Sequence, residues 1–107
     1  MPIVAPHQVT ERLQTSPEQV AAFCGQHAIR RLAVFGSILR DDFGETSDID
    51  VLIEFHPGKT PGLQFFGIQE ELSWLFRRPV DLHTPASISR YFRSQVLSEA
   101  EELYVAG

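Results

Sequence analysis

Cysteine is almost missing from this 107-residue chain: Cys24 stands alone. No disulfide can form within the chain, and a free cysteine usually packs as a small buried hydrophobe. A surplus of positive charge is missing too. Nine lysines and arginines face fourteen aspartates and glutamates, a formal net charge of −5. That balance excludes a surface built to neutralise many phosphates, and with it broad binding to duplex nucleic acid. No uncharged apolar run is long enough to span a bilayer, and the opening "MPIVAPHQVTERLQ" has neither the basic region nor the apolar stretch of a secretion signal. Internal repeats, low-complexity tracts and linkers are absent. These absences lead us to expect a cytoplasmic protein without a membrane partner.

What is present fits one domain over residues 1–107. A hydrophobic fraction of 43% with 21% charged residues is that of an ordinary globular chain, and this length buries a modest single core. Residues 1–15 carry two prolines and weak periodicity, so an irregular arm is expected, ending at most in a helical turn. "SPEQVAAFCGQHA" then places Ser16 as N-cap, Pro17 at the first helical position and Gln19 at the third, a capping box. The stripe of this helix is Val20, Phe23 and Cys24, extended by His27. "RRLAVF" reads as a buried strand stopped by Gly36, and "SILRDD" as a short helix or turn. "SDIDVLIEF" alternates as a strand, with Asp48 and Asp50 on one face.

Thr60 and Pro61 predict the start of a second helix that runs to about Phe76, with Phe65, Ile68, Leu72 and Leu75 on its buried face. The aromatics at 65, 66, 74, 76 and 92 are expected to be mostly core. "PVDLH" is a short strand carrying Asp81. Thr84 and Pro85 predict a C-terminal helix with an apolar seam of Ile88, Phe92, Val96, Ala100 and Leu103. Helices and strands alternating over this length imply an α/β (α+β) sandwich with one small sheet.

The chemistry concentrates in "FGSILRDDFGETSDIDVLIEF", Phe35 to Phe55. Residues i and i+2 on a strand stand roughly 6.6 Å apart and lean from the same face, so the oxygens of Asp48 and Asp50 can converge on hard cations. Magnesium takes a couple of carboxylates and leaves places for water and phosphate. Two ions about 3.5–4 Å apart can clamp both oxygens of a displacement at phosphorus, and Asp81 could complete the clamp. Gly36 and Ser37 end a strand and open a short helix, where free backbone N–H groups favour an anion. Arg40 reads equally as a phosphate ligand or as a surface ion-pair partner. Either aspartate alone reads as a turn cap; it is the combination with Asp81 and Gly36-Ser37 that points to chemistry. Asp41, Asp42 and Glu45 read as a solvated loop. The four histidines lack recurrent ligand spacing, so zinc is not expected. His83, two residues past Asp81 on the same face, is read as structural.

"GSILRDDFGETSDID" resembles the nucleotidyltransferase superfamily of DNA polymerase beta, whose pattern is Gly-Ser, about ten residues, then Asp-x-Asp. The continuing "VLIEF", "RRPVDLHTP" and "EAEELYVAG" look like the minimal nucleotidyltransferases, or MNT proteins, from Ser16 to the end. The resemblance implies a small mixed β-sheet flanked by helices, the nucleotidyltransferase core. It implies that Gly36 and Ser37, with Arg40, bind the nucleotide, and that Asp48, Asp50 and Asp81 are the catalytic, metal-binding carboxylates for two Mg2+ or Mn2+ ions. ATP is the expected nucleoside triphosphate donor. Where many relatives have glycine after the arginine, this chain has Asp41, which leaves the metal ligands untouched.

About twenty-five residues follow Asp81, too few for a separate substrate lobe, so something else is expected to grip the acceptor. The resemblance implies a HEPN-type toxin as that partner, with the nucleotidyltransferase as antitoxin transferring AMP to a tyrosine. The alternative is a non-catalytic antitoxin that occludes its partner through an acidic C-terminal helix bearing Glu99, Glu101 and Glu102. Transfer to a small molecule such as an aminoglycoside is disfavoured by the missing lobe. A homodimer and a hetero-oligomer both stay open.

Overall fold

The computed structural model describes residues 11–13, 15–40, 43–44 and 46–106. The readings of Asp41, Asp42, Glu45 and most of the N-terminal arm lie outside the described residues. Residues 11–13 form a helical turn, and Leu13 is buried.

Helix α1, Pro17–Gln26, starts as its sequence requires. The Ser16 hydroxyl accepts from the Gln19 amide at 3.1 Å, and the Ser16 amide donates to Gln19 Oε1 at 3.0 Å. Two of the amides that a helix start leaves without partners are thereby satisfied. Val20, Phe23 and Cys24 are its buried residues. Burial pushes the Cys24 thiol up to about 12, so it stays protonated and inert. His27 caps the C-terminus and pairs with Glu71.

Strand β1 is Ile29–Phe35, followed by a single 3-10 turn at Gly36–Leu39, then β2, Ile49–Phe55. Helix α2, Gln64–Phe76, leads to β3, Val80–His83; helix α3 is Arg90–Glu99 and β4 is Glu101–Val105. The strands form one sheet in the order β3-β2-β1-β4. β1 runs antiparallel to β2 and β4, whereas β2 and β3 run parallel across the α2 crossover. This mixed sheet flanked by helices is the architecture that the resemblance implied. Ile29, Leu32, Val34, Ile49, Val51 and Ile53 are fully buried at its centre, with Ile68, Leu72 and Phe76 of α2 in the same core. Among the described residues no helix is long and apolar enough to cross a membrane.

Four expectations need correction. The last helix ends at Glu99, and Glu101–Val105 is an edge strand on β1. Glu, Ala and Leu in "SEAEELYV" favour a helix, but the free edge of β1 offers backbone partners to a segment ending in β-prone Tyr104 and Val105. The acidic C-terminal helix therefore does not exist as such. Thr84 and Pro85 open only the 3-10 turn Pro85–Ser87, and Ser89 caps α3 instead. Helix α2 begins at Gln64, not after Thr60-Pro61, since Gly62 and Leu63 first form a turn. Finally, Phe66, Trp74 and Phe92 are 66%, 81% and 60% exposed. The buried seam of α2 steps by four, through Ile68, Leu72 and Phe76, which turns positions 66 and 74 outward.

Candidate functional site

Strand register assembles the site. Phe35 on β1 pairs with Asp50 on β2, and Asp50 pairs with Asp81 on β3. Residues directly opposite across a sheet project from the same face, so two carboxylates stand side by side at one sheet end. His83 follows Asp81 by two residues on that face. Its Nε2 lies 3.3 Å from Asp81 Oδ2 and 3.7 Å from Asp50 Oδ1. One ligand atom from each of Asp50, Asp81 and His83 lies within 4.8 Å of the others. The His83 ring rests against Phe35, with centroids 5.4 Å apart.

Gly36 completes this corner. Its φ is +79°, in the left-handed region where glycine carries no steric penalty. A Cβ here would lie 2.3 Å from Asp50 Oδ2, so the space that a side chain would fill is the space the carboxylate uses. The Gly-Ser and Asp-x-Asp motifs, ten residues apart in sequence, are thus in contact. The remaining turn is short: the Arg40 amide donates to the Ser37 carbonyl at 2.9 Å.

Electrostatics sets Asp50 apart. Burial raises its pKa first, the charges of Asp81 and Asp48 raise it further, and His83 pulls it partly back. Clustered carboxylates that disfavour each other's charge are a setting in which a divalent cation is welcome, since it relieves the repulsion. Hard oxygen donors on two adjacent strands fit such an ion.

The structure treats the remaining sequence candidates differently. Asp48 stands one residue ahead of β2, exposed, and reaches Asp50 through its charge rather than by joining the three-residue cluster. Arg40 Nη2 pairs with Glu99 at 3.4 Å, the ion-pair alternative that its sequence position left open. Ser37 is half-buried at the start of the turn.

Two arginines escaped the sequence reading. Arg12 Nη1 donates to the carbonyls of Ile38 at 2.8 Å and Arg40 at 2.6 Å, strapping the turn from the far side of the chain. Arg78 Nη1 donates to the Gly44 carbonyl at 2.7 Å, and both guanidinium groups lie over the Phe43 ring. Contacts between residues this far apart leave no periodic trace. Arg12→Ala should cost about 1–3 kcal/mol in urea unfolding, because two carbonyls lose their donor; an unchanged midpoint would show that the strap holds nothing.

Comparison with known proteins agrees with this geometry. A profile described as "Nucleotidyltransferase domain" matches residues 17–103. The chain belongs to that family and is a nucleotidyltransferase. The Methanocaldococcus jannaschii protein named "Putative protein adenylyltransferase MJ0435" is 36% identical over 78 residues, covering 73% of this chain and 83% of that one. A solved structure described as "Structure of putative minimal nucleotidyltransferase" is 33% identical, covers 90% of this chain and 97% of the other, and superposes with a TM-score of 0.69. Within the family the chain stands with these minimal nucleotidyltransferases. A tri-AMPylated Shewanella oneidensis HEPN toxin in complex with MNT antitoxin supplies a further neighbour, at TM-score 0.63 and 15% identity, over 92% of this chain and 73% of the other. At that identity the likeness is one of fold.

Proposed function

We propose that this chain transfers AMP from ATP, with divalent cations, to a tyrosine hydroxyl of a HEPN-type toxin and so acts as its antitoxin. The observation that carries the reading is the Asp50–Asp81 pair set edge to edge beside the side-chain-free Gly36. The relative named a protein adenylyltransferase and the HEPN–MNT neighbour support the choice of group and acceptor.

Asp48, Asp50 and Asp81 would hold the divalent ions; when bound, such ions neutralise the charge gathering on the triphosphate. Gly36 and Ser37 receive the terminal phosphates, Gly36 by close backbone approach and Ser37 through its hydroxyl. The acceptor oxygen forms its bond to the α-phosphorus as the bridging bond to the β-phosphate breaks, and pyrophosphate leaves. Asp81, the more exposed of the two strand carboxylates at 60% against 31%, accepts the hydroxyl proton. Positioning and electrostatics supply most of such a rate enhancement.

The occluding alternative loses the acidic helix on which it rested. Glu101 and Glu102 lie on a strand, Glu102 pairs with Arg31 at 2.7 Å, and Glu99 pairs with Arg40. The test is transfer of label from ATP to a cognate HEPN protein. Covalent label is expected from the α-phosphate and not from the γ-phosphate. Label from neither position, alongside a tight complex, would return the occluding antitoxin.

A further inference from the structure

We propose that His83 is itself a ligand of the cation held at Asp50 and Asp81, and that it turns the site towards a first-row transition ion such as Mn2+ in preference to Mg2+. The proposal rests on the reading of Asp50 and Asp81 as a cation site, and adds a donor that neither sequence motif contains.

Position comes first. Asp81 and His83 are two residues apart on β3, and Asp50 pairs with Asp81 from β2. The three donors therefore approach one point from two strands of a sheet whose parallel pairing fixes their spacing. Ligand atoms about 2.1 Å from a shared ion stand about 3 Å apart at right angles and about 4.2 Å apart across it. The His83 separations of 3.3 Å and 3.7 Å fall between those limits, and all three donor atoms lie within 4.8 Å of one another, a spacing that an entering ion can draw together. The ring is neither buried nor free to swing. Its side chain is 27% exposed, open to an entering ion, and Phe35 supports the ring.

Chemistry then decides the preference. Magnesium is a hard ion that selects oxygen and keeps its water, whereas imidazole nitrogen is a donor for first-row transition ions, whose affinities for mixed nitrogen and oxygen sites exceed those of the alkaline earths. A site of two carboxylates and one imidazole is thus biased away from magnesium.

The test uses the full chain labelled with 15N-histidine and titrated with Mn2+, with and without α,β-methylene-ATP, read by electron spin echo modulation. A 15N coupling of a directly bonded nitrogen is expected, absent from both His83→Asn and His83→Val. Mn2+ affinity should fall about tenfold or more in either variant, while Mg2+ affinity, measured by competition, should change much less. Two variants are made so that poor folding of one leaves the other to assign the nitrogen. Mn2+ bound in an Asp50-dependent way but without 15N coupling would overturn the role of His83 and leave the cation site standing. Mn2+ affinity that is unchanged in Asp50→Asn, or absent altogether, would overturn both.

Discussion

Asp50→Asn should lower nucleotidyl transfer about a thousandfold, on the order of 4 kcal/mol of transition-state stabilisation, while making the metal-free protein harder to melt. The two effects share one cause. Asp50 is partly buried and faces Asp81 and Asp48, so its pKa in the folded chain is raised. A group whose folded pKa exceeds its unfolded one holds its proton better in the fold. Its contribution to stability is complete below the unfolded carboxylate range and is lost as pH climbs through the raised value. Asparagine suffers no such loss. In EDTA, the melting temperature of the variant should therefore exceed that of the parent by a few degrees near neutrality, and the gap should narrow as pH falls towards 4. Full activity in the purified variant would sink the site assignment. A variant less stable at every pH would show that Asp50 supports the fold rather than straining it.

Gly36→Ala should remove about as much activity by a different route. Alanine at φ +79° meets the left-handed penalty of about 1–2 kcal/mol. Its Cβ would also lie 2.3 Å from Asp50 Oδ2 and 3.2 Å from Asp50 Cγ, so the carboxylate must leave its present position. The two contributions are separable, because Gly58 has nearly the same φ, +77°, with nothing within 4 Å of its would-be Cβ. Gly58→Ala should lose about 1 kcal/mol in urea and keep its activity. Gly36→Ala should lose more stability and at least a hundredfold in transfer, as expected for a misplaced catalytic group. Equal behaviour of the two variants would mean that the contact between Gly36 and Asp50 has no part in the chemistry.

Much of this could be read from the sequence because it is local. The capping box at Ser16 is decided within four residues, and the spacing from Gly-Ser to Asp-x-Asp is a property of one loop. Asp81 could be found because an acid on a short strand between breakers has few bland explanations. Long-range competition was not legible. "SEAEELYV" satisfies helix propensity as well as strand pairing, and only the open edge of β1 breaks the tie. The exposure of Trp74 depends on which side of α2 meets the sheet, which the spacing of Phe65, Ile68, Leu72 and Leu75 left ambiguous by one residue. His83 shows no ligand spacing along the chain, because its companions Asp50 and Asp81 are brought to it by the pairing of two strands. Arg12 reaches Ile38 and Arg40 across 26 and 28 residues, a link that sequence distance conceals.

On the proposed reading, Asp50, Asp81 and the Gly36 turn form one seat for a divalent ion and a triphosphate. Anomalous diffraction from crystals grown with Mn2+ and α,β-methylene-ATP checks this arrangement. An anomalous peak within ligand distance of both Asp50 and Asp81 is expected, with the phosphates against Gly36 and Ser37. A nucleotide ordered elsewhere, such as the groove of about 770 Å³ lined by Trp74, Arg77 and Pro79, with no manganese beside Asp50, would contradict it.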